Sequence, residues 1–276
     1  MPALVLLGIF MVYPILWSLW MSFQVGRGMN FSFGGLTNIM RLTQDPVFIR
    51  ALTNNFLFLA IQVPIMLVLA LFFANALNDS KLWGRGFFRT AIFLPCITSL
   101  VAYSILFKSM FANDGVINDG LMLLGIIREP IPWLADPFWA KVVIILAITW
   151  RWTGYNMIFY LAAMQNIDRS IYEAARIDGV PAWARFLYIT VPMLKPVILF
   201  TSVISTIGTL QLFDEVNTIT MGGPSDATLT LSLYIYNITF KFMPSYGYAS
   251  TVSYVIVVLV GILSFLQFIV ARDRRR

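Results

Sequence analysis

Long apolar runs alternate with short polar connections along the whole of this chain, and the spacing of the runs sets the first expectation. Six stretches are long and apolar enough to cross a bilayer: approximately Pro2 to Phe23, Leu52 to Leu77, Phe88 to Phe111, Phe138 to Met164, Val191 to Phe213 and Tyr246 to Val270. A bilayer core takes about 20 mostly apolar helical residues, and inside it the chain must satisfy its own backbone polar groups. The pattern predicts an all-α, polytopic membrane protein with six transmembrane helices in one domain, residues 1–276. The first run lacks a basic leading segment and ends in Trp17, Trp20 and Phe23, so it reads as a span rather than a cleaved leader. A cytoplasmic segment before Met1 stays open.

Composition agrees and removes alternatives. The chain is 59% hydrophobic and 12% charged, far from the balance of a soluble domain. It has one cysteine, Cys96, and no histidine, which excludes an internal disulfide and any His-based metal centre. The net charge of +6 could point to nucleic acid, but its distribution argues otherwise. With six spans, the loops after the second and fourth and the C-terminal tail share one side, and that side holds eleven Lys and Arg against five Asp and Glu. The other side holds seven against eight, and only Arg151 belongs to neither. This bias predicts cytoplasmic N- and C-termini, with the RDRRR tail as an anchor beside anionic headgroups.

One cytoplasmic segment, residues 165 to 192, is too polar to span and too patterned to be a slack linker. Ser170 followed by Glu173 is spaced as a capping box, Gly179 stands where a helix needs a left-handed terminator, and Pro181 suits the first position of a second helix. The expected element is a helix-turn-helix. Ile171, Ala174, Ala175 and Ile177 give it a mildly apolar side, and Glu173, Arg176 and Asp178 give it charge. Such a surface can dock into a protein cleft or lie on a membrane.

The order Glu173-Ala174-Ala175, then Gly179, Ile189 and Val191-Pro192 resembles the EAA loop of ABC importer permeases, with Val191 in place of the usual Leu. The stretches 35–58, 89–111, 213–240 and 246–251 are similar to permeases that import lactose, maltose and glycerol phosphate. The resemblance implies that Glu173, Ala174, Ala175, Asp178, Gly179 and Pro192 couple this chain to an ATPase. It also implies a second, homologous permease subunit, a dimeric cytoplasmic ATPase and an extracytoplasmic solute-binding protein. ATP and Mg would sit on the partner ATPase, since this chain has no phosphate-binding G-x-x-x-x-G-K-[ST] loop. The loop with Gly222, Gly223 and Pro224 reads as a tight turn; the resemblance makes it, with Asp214 and Glu215, part of an outer gate or docking surface.

A solute path needs polar groups at membrane depth. Arg151 stands near the middle of the fourth run, with Thr149, Trp152, Tyr155 and Asn156 around it. The fifth carries Ser202, Ser205, Thr206 and Thr209 at helical spacing, followed by Gln211. Planar hydrogen-bonding groups beside aromatic faces suit a sugar, so these residues are the candidate path. The competing reading is local: membrane Ser and Thr often bond back to their own helix, and Arg151 could pair with a partner subunit. Two rival functions rank behind. A self-sufficient secondary transporter or channel would need inverted repeats or buried carboxylates, and the spans hold no Asp or Glu in their interiors; an intramembrane enzyme would need a motif such as H-E-x-x-H or G-x-S-x-G, and neither occurs.

Overall fold

The computed structural model describes residues 2–79 and 81–272, so most of the basic C-terminal tail, from Asp273 on, lies outside the described residues. α1 (Pro2–Ser22) leads through a hairpin of β1 (Gln24–Arg27) and β2 (Asn30–Phe33) to α2 (Thr37–Gln44) and α3 (Pro46–Asn78). Next come α4 (Arg85–Ile97), α5 (Leu100–Met110), α6 (Val116–Leu123) and α7 (Pro137–Gln165). α8 (Arg169–Ile177), α9 (Ala182–Met193) and α10 (Lys195–Leu210) follow, then α11 (Asp214–Ile219), α12 (Leu231–Tyr236) and α13 (Tyr246–Arg272). The hairpin, antiparallel with Arg27 opposite Asn30, is the one strand pair in this helical protein among the described residues.

The two central helices begin alike. Asp45-Pro46 opens α3 and Asp136-Pro137 opens α7; in each, the Asp carboxylate accepts from the amides two and three residues on, at 3.0 and 3.2 Å and at 2.9 and 3.0 Å. The proline occupies the position whose missing N–H has no partner to lose. Both helices then run far enough to cross a bilayer, and α3, at ~50 Å for its 33 residues, exceeds the hydrocarbon core. They pack closely because Ala51, Ala70, Ala74, Ala140 and Ala147 are fully buried, small residues that let two backbones approach. α10 packs against α3, α7 and α13, while α1 packs against α13 and leaves most of its surface exposed.

Four of the six expected spans are single helices: α1, α3, α7 and α13. The other two are bent. The third run breaks at Thr98–Ser99, where α4 and α5 meet at 100°. Pro95 supplies no amide to the α4 ladder, and the Thr98 hydroxyl and amide both donate to the Pro95 carbonyl, at 2.6 and 3.3 Å, closing the helix with a tight turn. Thr98 and Ser99 then run extended, with ψ of 150° and 135°. The fifth run also departs from one straight rod. Val191–Met193 finishes α9, the chain turns by 70° at Leu194, and Pro196 starts α10 without a donor. α10 stops at Leu210, short of Phe213, where the fully buried Asn55 donates to the carbonyls of Thr209 and Leu210 and accepts from the Leu231 amide.

Candidate functional site

The elbow formed by α8 and α9 builds its own ends. Asp168, rather than Ser170, caps α8: its carboxylate accepts from the Ser170 amide at 2.9 Å, and this bond holds the exposed carboxyl below the usual Asp range. The capping box expected from Ser170 and Glu173 is therefore replaced by an Asp cap two residues earlier, where a full negative charge meets the positive helix end. At the other end Gly179 adopts φ +72°, its amide donates to Arg176 O and the Val180 amide to Ala175 O, the paired bonds of a Schellman terminus. Pro181 precedes α9 as its cap, and its carbonyl accepts from the Arg185 amide.

Within this elbow Glu173, Ala174, Asp178 and Gly179 are exposed, whereas Ala175 is buried, and Pro192 is exposed at the end of α9. Large apolar groups join them at the surface: Ile177 is 86% exposed, and Trp183 and Tyr188 are also exposed. The two helices are tied by the Tyr172 hydroxyl and the Thr190 hydroxyl, 2.9 Å apart. Sequence reasoning passed over this pair, because a Tyr and a Thr eighteen residues apart carry no local signal.

A cavity of about 530 Å³ opens between α3, α5, α7, α10 and α11. Trp152, Tyr155 and Asn156 of α7 line it, with Ser205 and Thr209 of α10, Gln211, Asp214 and Glu215. The four hydroxyls of α10 divide. Ser205 and Thr209 face the cavity, while Thr206 accepts from Gln267 of α13 at 2.8 Å and Ser202 bonds back to the Leu199 carbonyl. Thr149 is also off the wall, buried with its hydroxyl unpaired. Trp152 and Tyr155 present rings set edge to face, 5.7 Å between centroids. Asn156 spends its amide nitrogen on the Trp152 carbonyl and leaves its Oδ1 buried without a partner.

Two contributors come from α3. Gln62, 1% exposed, accepts from the Thr209 hydroxyl at 3.2 Å, and Met66 lies below it. The single amide in the apolar run around Ile61–Val63 was the available signal. Asp214 and Glu215 stand on the cavity wall itself, and Glu215 is only 4% exposed.

Arg151 points elsewhere. Its guanidinium, 5% exposed, donates to the carbonyls of Pro95 at 3.3 Å, Thr98 at 2.8 Å and Cys96 at 3.3 Å, with Nε buried and unpaired. It also covers the Tyr103 ring at 4.7 Å and the Trp152 ring at 5.3 Å. The α4–α5 bend leaves the Cys96 and Thr98 carbonyls without helical partners, and each left buried and unpaired would cost about 1–3 kcal/mol. The arginine expected beside the solute thus answers the backbone. The sequence hid this because the break that needs it lies more than fifty residues away.

At the far end of the bundle, Gly222, Gly223 and Pro224 fold a loop back onto α3. Thr228 donates to the Gly223 carbonyl, Asn54 donates to the carbonyls of Asp226 and Leu229, and Arg50 donates to the Ser225 carbonyl while lying 3.7 Å from the Asp226 carboxylate. Asp45 secures the same end: its second carboxylate oxygen accepts from the Tyr234 and Tyr248 hydroxyls, at 2.5 and 2.6 Å.

Comparison with known proteins matches this architecture throughout. All of residues 1–276 match the family of the binding-protein-dependent transport system inner membrane component. The chain is 66% identical to the lactose transport system permease protein LacF of Rhizobium radiobacter, over 99% of this chain and 93% of that protein. It is 32% identical to the arabinooligosaccharides transport system permease protein AraP of Halalkalibacterium halodurans, over 92% of this chain and 80% of that one. With the trehalose/maltose transport system permease protein MalF of Thermococcus litoralis it shares 31% identity over 100% and 92% of the two chains. A solved chain of a bacterial ABC transporter involved in the import of the acidic polysaccharide alginate has the same fold, with a TM-score of 0.87 at 23% identity over 100% of this chain and 94% of that one. A bundle of long apolar helices around a polar-lined cavity, matched along its whole length, places this chain in the binding-protein-dependent transport system inner membrane component family: it is an ABC importer permease subunit, a transport chain whose ATP hydrolysis belongs to a separate ATPase.

Proposed function

We propose that this chain forms one wall of the translocation path for a neutral carbohydrate and takes its driving motion from the ATPase through the α8–α9 elbow. The observation that carries the reading is the cavity: its volume of about 530 Å³ falls in the range of small-ligand sites, and its wall offers the rings of Trp152, Tyr155 and Phe213, the hydroxyls of Ser205 and Thr209, and the amides of Gln62, Gln211 and Asn156, the last with an unpaired oxygen. Aromatic faces pack on the apolar side of a sugar ring, and the amides and hydroxyls replace the water its hydroxyls lose. The wall holds the carboxylates Asp214 and Glu215 and, among the described residues, no Lys or Arg. That sign disfavours a phosphorylated solute such as glycerol phosphate. Kinship at 66% identity with a lactose permease supports the same class.

In this reading the elbow lies at the cytoplasmic face of a bacterial inner membrane, where the basic loops and both termini are placed by the positive-inside rule. Glu173, Ala174, Asp178 and Gly179, with exposed Ile177 and Trp183, enter a groove of the ATPase. The Gly222–Pro224 loop lies toward the solute-binding protein, Asp214 and Glu215 line the outer end of the cavity as a gate, and a second, homologous permease completes the path. Tests begin with the purified assembly: the tagged chain brings down a second permease and a dimeric ATPase and hydrolyses no ATP alone. Gly179→Pro and Glu173→Lys leave capture of the loaded binding protein intact and abolish ATP-dependent uptake; unchanged uptake in both refutes the coupling role. Asn156→Ala or Tyr155→Ala raises the half-saturating sugar concentration for uptake.

A further inference from the structure

Arg151 and Gly154 stand three residues apart on α7, one helical turn and one face, and together they hold both halves of the bent third run. Gly154 gives the α4 backbone its approach, since a Cβ there would collide with the Ile92 carbonyl. One turn away, the guanidinium forks onto the carbonyls of Pro95, Cys96 and Thr98 at the end of α4 and covers the ring of Tyr103 on α5. α5 carries that grip to the cavity: Leu100 lies on the wall, and α5 packs against α11, whose Asp214 and Glu215 lie there too. In the other direction α7 runs without a break from Arg151 to Gln165, ~21 Å, and α8 begins after three intervening residues.

We propose that Arg151 is a positioning residue of the transport cycle: it fastens the bent α4–α5 run to α7, so that displacement of the elbow carries the bend, and with it the Leu100 part of the cavity wall, as one body. The inference rests on the reading that the elbow receives the ATPase's motion. A planar guanidinium suits the task because its donors diverge toward carbonyls on different vectors, whereas a lysine ammonium is a compact point charge on a flexible stem. Because its partners are backbone atoms, the grip persists however the side chains of the cavity rearrange around a solute.

The test uses the complete importer reconstituted in nanodiscs, in a Cys96→Ser background, since the Cys96 carbonyl and not its thiol is the acceptor. Spin labels at Phe87 on α4 and Ile158 on α7, both exposed, report the distance between the two helices in the resting and ATP-trapped states. In the wild type that distance changes by less than ~5 Å, one helical pitch. In Arg151→Met the distance distribution shifts or broadens between states, binding-protein-stimulated ATP hydrolysis persists, and solute taken up per ATP falls roughly tenfold, within the usual span of coupling energies. Arg151→Lys restores part of the loss. A wild-type distance that changes by more than one pitch overturns the proposal, as does an Arg151→Met complex with unaltered uptake per ATP. If Arg151→Met does not assemble, the wild-type distance decides alone. A wild-type complex with no ATP-driven uptake would instead refute the coupling reading, which separates the two failures.

Discussion

The two bent runs of this protein solve one problem by opposite means. Between α4 and α5 the chain turns by 100°, and between α9 and α10 by 70°; both turns interrupt a helical ladder beside a proline. The first is served twice: Thr98 closes its own turn on the Pro95 carbonyl, and an arginine on another helix adds donors to the carbonyls of Pro95, Cys96 and Thr98. The second is served from nearby: the Leu194 amide donates to Thr190 O, and the amides of Val197 and Ile198 both donate to the Leu194 carbonyl. Each bend has a buried pivot with exposed neighbours: Leu194 between Met193 and Lys195 at the second, and Pro95, gripped by buried Arg151, with Ile97 and Ser99 exposed at the first. The difference teaches that what stands against a break decides who completes it: α7 brings a side-chain donor to the first, and only the chain's own amides serve the second.

The strongest way to break this contrast is to prise the buried bend from its support. Gly154→Ala puts a methyl group against the Ile92 carbonyl, backbone that cannot swing aside, and should destabilise the assembly by about 1–3 kcal/mol, read as a fall in the thermal midpoint of the purified complex. If Gly154→Ala leaves the midpoint unchanged, α4 is not held as described.

An intermediate case is the join between α2 and α3, where Asp45 accepts from two amides and two phenols. Burial pushes its carboxyl upward, but the hydrogen bonds from Tyr234, Tyr248, Phe48 and Val47 outweigh it and hold the group below its ordinary value of 3.8. A depressed acid adds stability that is fully present above its unfolded value and is lost as pH falls through its lower folded value. Thermal stability of the wild type should therefore decline between neutrality and about pH 3 more steeply than that of Asp45→Asn; parallel curves would show that the carboxylate contributes nothing.

The smallest effect is expected at the exposed elbow. Tyr172→Phe removes one hydroxyl pair and should cost about 1 kcal/mol or less, detected as earlier proteolytic nicking between α8 and α9 while the thermal midpoint of the bundle holds. A loss as large as that of Gly154→Ala would mean that the elbow, too, depends on support from outside itself.

Much of this molecule could be read along the chain because its cues are local. Hydrophobic length located α1, α3, α7 and α13 to within a few residues, except at the hairpin-side end of α3, where Asp45-Pro46 rather than the apolar run sets the start. Gly179 announced the end of α8 because a left-handed residue is a property of one position and its neighbours. The start of α8 was misplaced only by the choice between Asp168 and Ser170, two acceptors within one turn.

The remainder depended on partners remote in sequence. Nothing near Arg151 in the chain shows that Pro95, Cys96 and Thr98 lie against it; nothing near Asn55 shows that it finishes α10; nothing near Gln62 shows that it meets Thr209 across a cavity. By itself the sequence determined that this is a bundle of apolar helices with a polar elbow, since burial in lipid requires length and internal hydrogen bonding of each segment separately. Which polar side chains face the cavity and which repair broken backbone was decided only by tertiary structure, because an unpaired carbonyl draws the nearest donor in space and the chain does not encode nearness one residue at a time.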